Sequence, residues 1–159
     1  MALLLPPELH TRDGEALDAA LRLLDVADEL VRTLEIHAQG RFGLSRGRLG
    51  VLLALDRAGT EGIRAADLAE QLRVSRPTVT MLLRGLTAEG LVARRPDPHD
   101  RRARRVVLSR SGQARVRAIA PTHARRLVAL LRALDEDERS QLLALLEKLR
   151  GGLHALRSP

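Results

Sequence analysis

Between Ser75 and Arg105 the chain carries two groups of residues whose types and spacing suit contact with a polyanion. The first is a stretch of helical pattern from Ser75 to about Glu89. On a wheel turning about 100° per residue, Val79, Leu82, Leu83 and Leu86 gather on one side. Pro77, Thr80, Met81, Arg84 and Ala88 fall on the other. An outward face of this kind fits a DNA major groove: arginine can bond guanine bidentately, and Thr and Met offer methyl contacts to thymine. Ser75, Arg76 and Thr78 occupy the first turn, where the positive helix end favours phosphate. The second group is Arg94, Arg95, Arg101, Arg102, Arg104 and Arg105, on a segment punctuated by Pro96, Asp97 and Pro98. A projecting hairpin with arginine at its tip can enter a minor groove, where narrow A·T tracts concentrate negative potential. Asp100 sits among these cations and is expected to orient Arg102. The plainer alternative for both groups is a solvated charged surface. The position of the arginine-rich loop directly after a helix pair weighs against it.

These groups need a frame. The apolar residues Leu17, Leu21, Leu24, Ala27, Val31 and Leu34 recur at steps of three and four, which predicts a long helix from Gly14 to about Ala38. Gly40 to Gly43 should break it. Ser45 can cap a second helix running to about Asp56. Residues 64–72 form a short helix, Arg73 and Val74 a turn, and Ser75 caps the next helix, which Gly90 ends. Two helices joined this tightly make a helix-turn-helix. Residues 91–94 and 104–109 read as two strands of a hairpin, a wing whose tip is basic. A long helix follows over 110–134, with Pro121 expected to kink it or remove one hydrogen bond. Asp135 and Glu138 have capping-box spacing ahead of a last helix. Leu142, Leu143, Leu145, Leu146, Leu149 and Leu153 exceed what one face of that helix needs against its own chain, which favours a partner helix from a second subunit. The fold class is therefore mainly α with a small β-hairpin wing. A winged helix-turn-helix over 45–112 is flanked by an arm and dimerisation helix (1–44) and by C-terminal dimerisation helices (113–159).

Composition narrows the function. The formal net charge is +7 and the pI about 11.4, which favours a polyanionic partner. All but Lys148 of the 27 basic residues are arginine, a bias that a GC-rich genome also produces, so their placement carries more weight than their number. Phe42 is the sole aromatic, which argues against readers of RNA or single strands that stack bases on aromatic rings. The absence of cysteine excludes disulfides, thiolate metal sites and thiol switches. His10, His37, His99, His123 and His154 include no pair at metal-binding helical spacing, so no metal or other cofactor is expected. No nucleotide-binding glycine motif or nucleophile elbow is present, and Ser109 and Ser111 read as a helix start, so no catalytic residue is assigned. No apolar run has membrane-spanning length, and a cytoplasmic location is expected.

Several stretches resemble the MarR family of bacterial transcription regulators. They are Leu68-Ala69, Val74-Ser75-Arg76-Pro77-Thr78-Val79-Thr80, Leu86-Thr87-Ala88-Glu89-Gly90-Leu91-Val92, and above all Asp97-Pro98-His99-Asp100-Arg101-Arg102-Ala103 leading to Val106-Val107-Leu108-Ser109. The resemblance implies a homodimer joined by its N- and C-terminal helices, bound to a pseudo-palindromic site on double-stranded DNA, usually as a repressor. It implies that Arg102 or Arg101 reaches the minor groove with Asp100 as its ion-pair partner. It also implies release by a small anionic effector between the dimerisation region and the winged domain, where His37, Arg41, Phe42 and Arg48 would lie. Two departures stand out: the chain has no cysteine for peroxide sensing, and no Tyr or Trp to line an aromatic pocket. The alternative function is a winged-helix module that binds an acidic protein, or DNA architecturally, without a specific operator.

Overall fold

The computed structural model describes residues 14–100 and 103–155. Helix α1 (Gly14–Phe42) spans 29 residues and is followed by α2 (Arg46–Ala58), a two-residue strand β1 (Ile63–Arg64), α3 (Ala65–Leu72) and α4 (Arg76–Ala88). Strands β2 (Val92–Pro96) and β3 (Arg104–Leu108) form the wing, and α5 (Arg110–Leu130), a 3-10 turn (Leu131–Ala133) and α6 (Glu136–Ala155) complete the chain. Contacts divide it after Gln113 into two compact units.

Local chemistry sets most of these boundaries. Ser45 caps α2 by accepting from the Arg48 amide, and Ser75 caps α4 by accepting from the Thr78 amide at 3.2 Å. The αL conformation of Arg73 (φ +54°) makes the tight turn between α3 and α4. Gly90 (φ +68°) lets the chain leave α4 for β2. Asp135 and Glu138 form the expected reciprocal box at the start of α6, each carboxylate accepting from the other residue's amide at 2.9 Å.

Three boundaries differ from the sequence reading. Helix α1 continues through Gly40 and stops only at Gly43, whose φ of +63° no helix accommodates. Helix α5 ends at Leu130, and Leu131–Ala133 tighten into the 3-10 turn. The hairpin is part of a three-stranded antiparallel sheet in the order β1-β3-β2. Strand β1 is too short to show any alternation, and it exists because Ile63 and Arg64 pair with Val106 and Arg105.

The core of the first unit lies between α2, α3, α4 and the sheet. Leu52, Leu55, Leu68, Leu83 and Leu86 are fully or almost fully buried there, each stabilising by about 2 kcal/mol relative to exposure. By contrast, α1 leaves Leu24, Val26 and Ile36 exposed, and α6 leaves Leu143, Leu149 and Leu153 exposed.

Ser109 joins the wing to α5. Its hydroxyl donates to the Gly90 carbonyl at 2.6 Å and accepts from the Gly112 amide at 3.0 Å, which makes it the N-cap of α5. Ser111 donates to the same carbonyl at 2.7 Å. Ser109→Ala is expected to destabilise the protein by about 1 kcal/mol, the worth of a serine cap. Urea denaturation checks this, and an unchanged midpoint would show that Ser111 alone suffices.

Candidate nucleic-acid interface

The outer face of α4 carries the residues expected from the wheel. Val79, Leu83 and Leu86 are buried and Leu82 is half-buried, whereas Arg76, Pro77, Thr80, Met81 and Arg84 are exposed. Met81 keeps 65% of its surface, which for a thioether side chain on a core-packed helix marks a face built for something else. The Thr80 hydroxyl donates to the Arg76 carbonyl at 3.0 Å, so its methyl group is left as its outward chemistry. Pro77 lies in the first turn, where its missing amide costs no helical hydrogen bond. Ser75 and Thr78 are less available than the sequence suggests. Their hydroxyls bond each other at 2.7 Å and Ser75 also holds the Thr78 amide, while Thr78 is half-buried.

Strand β2 of the wing packs against α4. Arg94, Arg95 and Arg104 are exposed, and no ion pair engages them among the described residues. Arg101 and Arg102 lie outside the described residues, and so therefore does the expected pairing of Asp100 with Arg102.

The acid that organises the wing is Asp97, which composition alone does not single out. Its side chain is fully excluded from solvent, and its Oδ2 accepts from Nε of Arg64 at 2.7 Å and from Nε of Arg105 at 2.8 Å. Its Oδ1 accepts from the His99 amide at 2.9 Å, which opens the loop with a side-chain turn. The loop closes through the Asp97 amide, which donates to the Ala103 carbonyl at 3.2 Å. Arg105 also donates to the Gly62 carbonyl at 3.3 Å. The Arg64 hydrogen bond, then the His99 amide and Arg105, hold the Asp97 carboxyl far below its ordinary value of 3.8. A depressed folded value means that Asp97 contributes stability above its unfolded pKa and loses it as the pH falls. The stability gap between the protein and Asp97→Asn should therefore be full at pH 5 and above and shrink below about pH 4. Thermal melts across that range check it, and a gap that persists undiminished at pH 3 would contradict it.

The residues expected near an effector are only partly together. His37 and Phe42 meet edge to face with centroids 5.6 Å apart, and Arg41 is exposed one residue from Phe42. Arg48 instead reaches from α2 to the Glu89 carboxylate at the C-terminal end of α4. None of the four lines a nearby groove of about 520 Å³, whose walls are Glu35, Arg46, Gly47, Gly50, Leu72, Arg73, Val74 and Leu82. Among the described residues no three His, Cys, Asp or Glu are placed to share a metal ion. No described helix is long and apolar enough to cross a membrane.

A helix pair with an exposed second helix, followed by a β-hairpin wing, defines the winged helix-turn-helix class. A MarR family model matches residues 42–103 of the chain. It is 29% identical over 137 residues to the HTH-type transcriptional repressor YetL of Bacillus subtilis (strain 168), spanning 86% of this chain and 81% of that protein. It is 40% identical over 72 residues to the transcriptional activatory protein BadR of Rhodopseudomonas palustris, spanning 45% of this chain and 41% of that one. Its structure resembles that of MepR from S. aureus in a crystal structure of the MepR–DNA complex, with a TM-score of 0.76 and 25% identity over 84% of this chain and 95% of that chain.

Proposed function

We propose that this protein is a sequence-specific transcription regulator that binds duplex DNA as a homodimer in the cytoplasm, and that it is a regulator and not an enzyme. The observation that carries the reading is the exposed Thr80, Met81 and Arg84 face of α4, followed in the chain by a wing with three exposed arginines. Residues 45–112 would read DNA: Arg84, Thr80 and Met81 at base edges with Pro77 on the same face, Arg76 at the backbone with Ser75 and Thr78 chiefly fixing the helix start beside it, and Arg94, Arg95, Arg101, Arg102 and Arg104 from the wing. Residues 1–44 and 113–159 would join the protomers. The uncovered Leu24 on α1 and Leu143, Leu149 and Leu153 on α6 support this, because a single chain leaves those side chains in water. Two copies of α4 would then meet successive major grooves about 10 bp apart.

Repression is the favoured sign of regulation. The likeness to the repressor YetL covers most of both chains, whereas the likeness to the activatory BadR covers less than half of either. The accessory part of the proposal is a small anionic effector, supported by Arg41 beside the His37–Phe42 ring pair.

The test is selection of bound duplexes from a random pool, followed by mobility shifts on the selected and scrambled duplexes at low and moderate salt. The selected duplex should bind far more tightly at both salt concentrations, while binding to the scrambled one should fade steeply with salt. Equal affinity for the two would remove sequence-specific regulation and leave an architectural or protein-binding module. Sedimentation should show a dimer at micromolar concentration, and a stable monomer there would end the two-fold reading.

A further inference from the structure

We propose that Asp97 is a positioning residue that makes the wing and the helix-turn-helix one rigid reader, by tying the root of the wing to the residue that precedes α3. The inference rests on the DNA-binding reading above and specifies how its two contact elements keep a fixed spacing.

The sheet register places an arginine on each of three neighbouring strands. Arg64 of β1 lies opposite Arg105 of β3, and Arg105 lies opposite Arg95 of β2. Neighbouring strands are about 4.8 Å apart, and like charges directly opposite one another destabilise a sheet. Such a row needs an anion. Asp97 follows β2 directly, at the mouth of the loop. One of its oxygens holds both Arg64 and Arg105, and the other holds the His99 amide at the start of the loop. The carboxylate is fully excluded from solvent, while Arg64 keeps 39% of its side-chain surface and Arg105 24%. The buried member thus sets the geometry and the two partly exposed members follow it.

The consequence is mechanical. The loop of residues 97–103 springs from a residue fixed to Arg64, and Arg64 is the N-cap position of α3. Helix α3 packs on α4, and β2 packs on α4 directly; the carboxylate adds a tie from the start of the wing loop to α3 that these strand contacts do not supply. Arg95, the remaining member of the row, is exposed and left with its charge available to phosphate. An asparagine at position 97 keeps the shape but not the charge that holds the two guanidinium groups, and the wing loop then loses its tie to α3.

The test uses the full-length protein on a duplex obtained by selection, with Asp97→Asn, Arg64→Gln and Arg64→Lys. Guanine N7 protection from dimethyl sulfate reports the major groove, and hydroxyl-radical footprinting reports the minor groove. At saturating protein, Asp97→Asn should keep the guanine protection, lose the flanking minor-groove protection and bind about tenfold more weakly. Arg64→Gln should behave alike, and Arg64→Lys should regain part of the minor-groove protection. Circular dichroism melts establish that each variant is folded at the assay temperature; if Asp97→Asn is not, the Arg64 pair decides. A folded variant that retains both patterns overturns the proposal. So does one that loses both, since Asp97 would then serve the whole domain and not the wing. A wild-type protein that protects no duplex at all ends the DNA-binding reading itself, a distinct outcome.

Discussion

Arg84→Ala is expected to lower the preference for a selected duplex over a scrambled one by about 1–3 kcal/mol for each half-site. A dimer loses that twice, so the specificity ratio should fall by at least about thirtyfold, at the level of 1.4 kcal/mol per factor of ten. Arg84 lies one turn beyond Thr80 on the face of α4 opposite buried Val79, Leu83 and Leu86, and it is exposed. Truncating it uncovers no core and breaks no ion pair among the described residues, so the fold should be unaffected. A guanidinium in a major groove can make two parallel hydrogen bonds to guanine, a geometry that lysine cannot reproduce. Arg84→Lys should therefore keep the salt dependence of binding while losing most of the specificity. Mobility shifts with both variants at two salt concentrations check this. If Arg84→Ala reduced binding to selected and scrambled duplexes equally, Arg84 would be a phosphate contact and base reading would have to come from elsewhere on α4.

The second large effect concerns folding. Gly112→Ala adds a single methyl group in the first turn of α5, and a Cβ there would lie 2.0 Å from the Leu91 carbonyl oxygen and 3.0 Å from its carbon. Backbone atoms cannot rotate away as a side chain can, so either α5 or the strand entry at Leu91 must move. That movement would disturb the Ser109 and Ser111 bonds to the Gly90 carbonyl. Overpacking of this kind costs about 1–3 kcal/mol or more, and the loss of the serine cap adds about 1 kcal/mol. For a domain of this size the melting temperature should fall by roughly 10 °C. Gly40→Ala is the control: nothing lies within 4 Å of its added Cβ, and Gly40 sits inside α1. It should stabilise by about 0.5–1 kcal/mol through helix propensity alone. Equal melting temperatures for the two variants would show that the α5 junction yields, and that the wing's attachment to α5 is looser than its contacts imply.

Arg84 and Gly112 also mark where local reasoning suffices and where it stops. The outward face of α4, the caps at Ser45 and Ser75, the Asp135–Glu138 box and the stop at Gly90 were all legible in the chain itself. Each depends on residues within a turn or two of one another, and periodicity and capping are interactions of that range. The continuation of α1 through Gly40 was not legible, because one glycine inside a helix costs only about 1 kcal/mol and neighbouring turns outvote it. Strand β1 was not legible either, since two residues carry no alternation and their partners lie beyond α4.

The choice between the wing's two acids shows the division most sharply. Asp97 and Asp100 stand three residues apart in one polar loop, and nothing in their neighbours' types tells which is buried. The selection depends on Arg64, 33 positions earlier in the chain, arriving beside Arg105 when β1 pairs with β3. The amino-acid order by itself determined which faces are apolar, where helices begin and that arginine would crowd the wing. Only the packed sheet decided which carboxylate holds those arginines, because an ion pair between distant segments exists only after the backbone has brought them together.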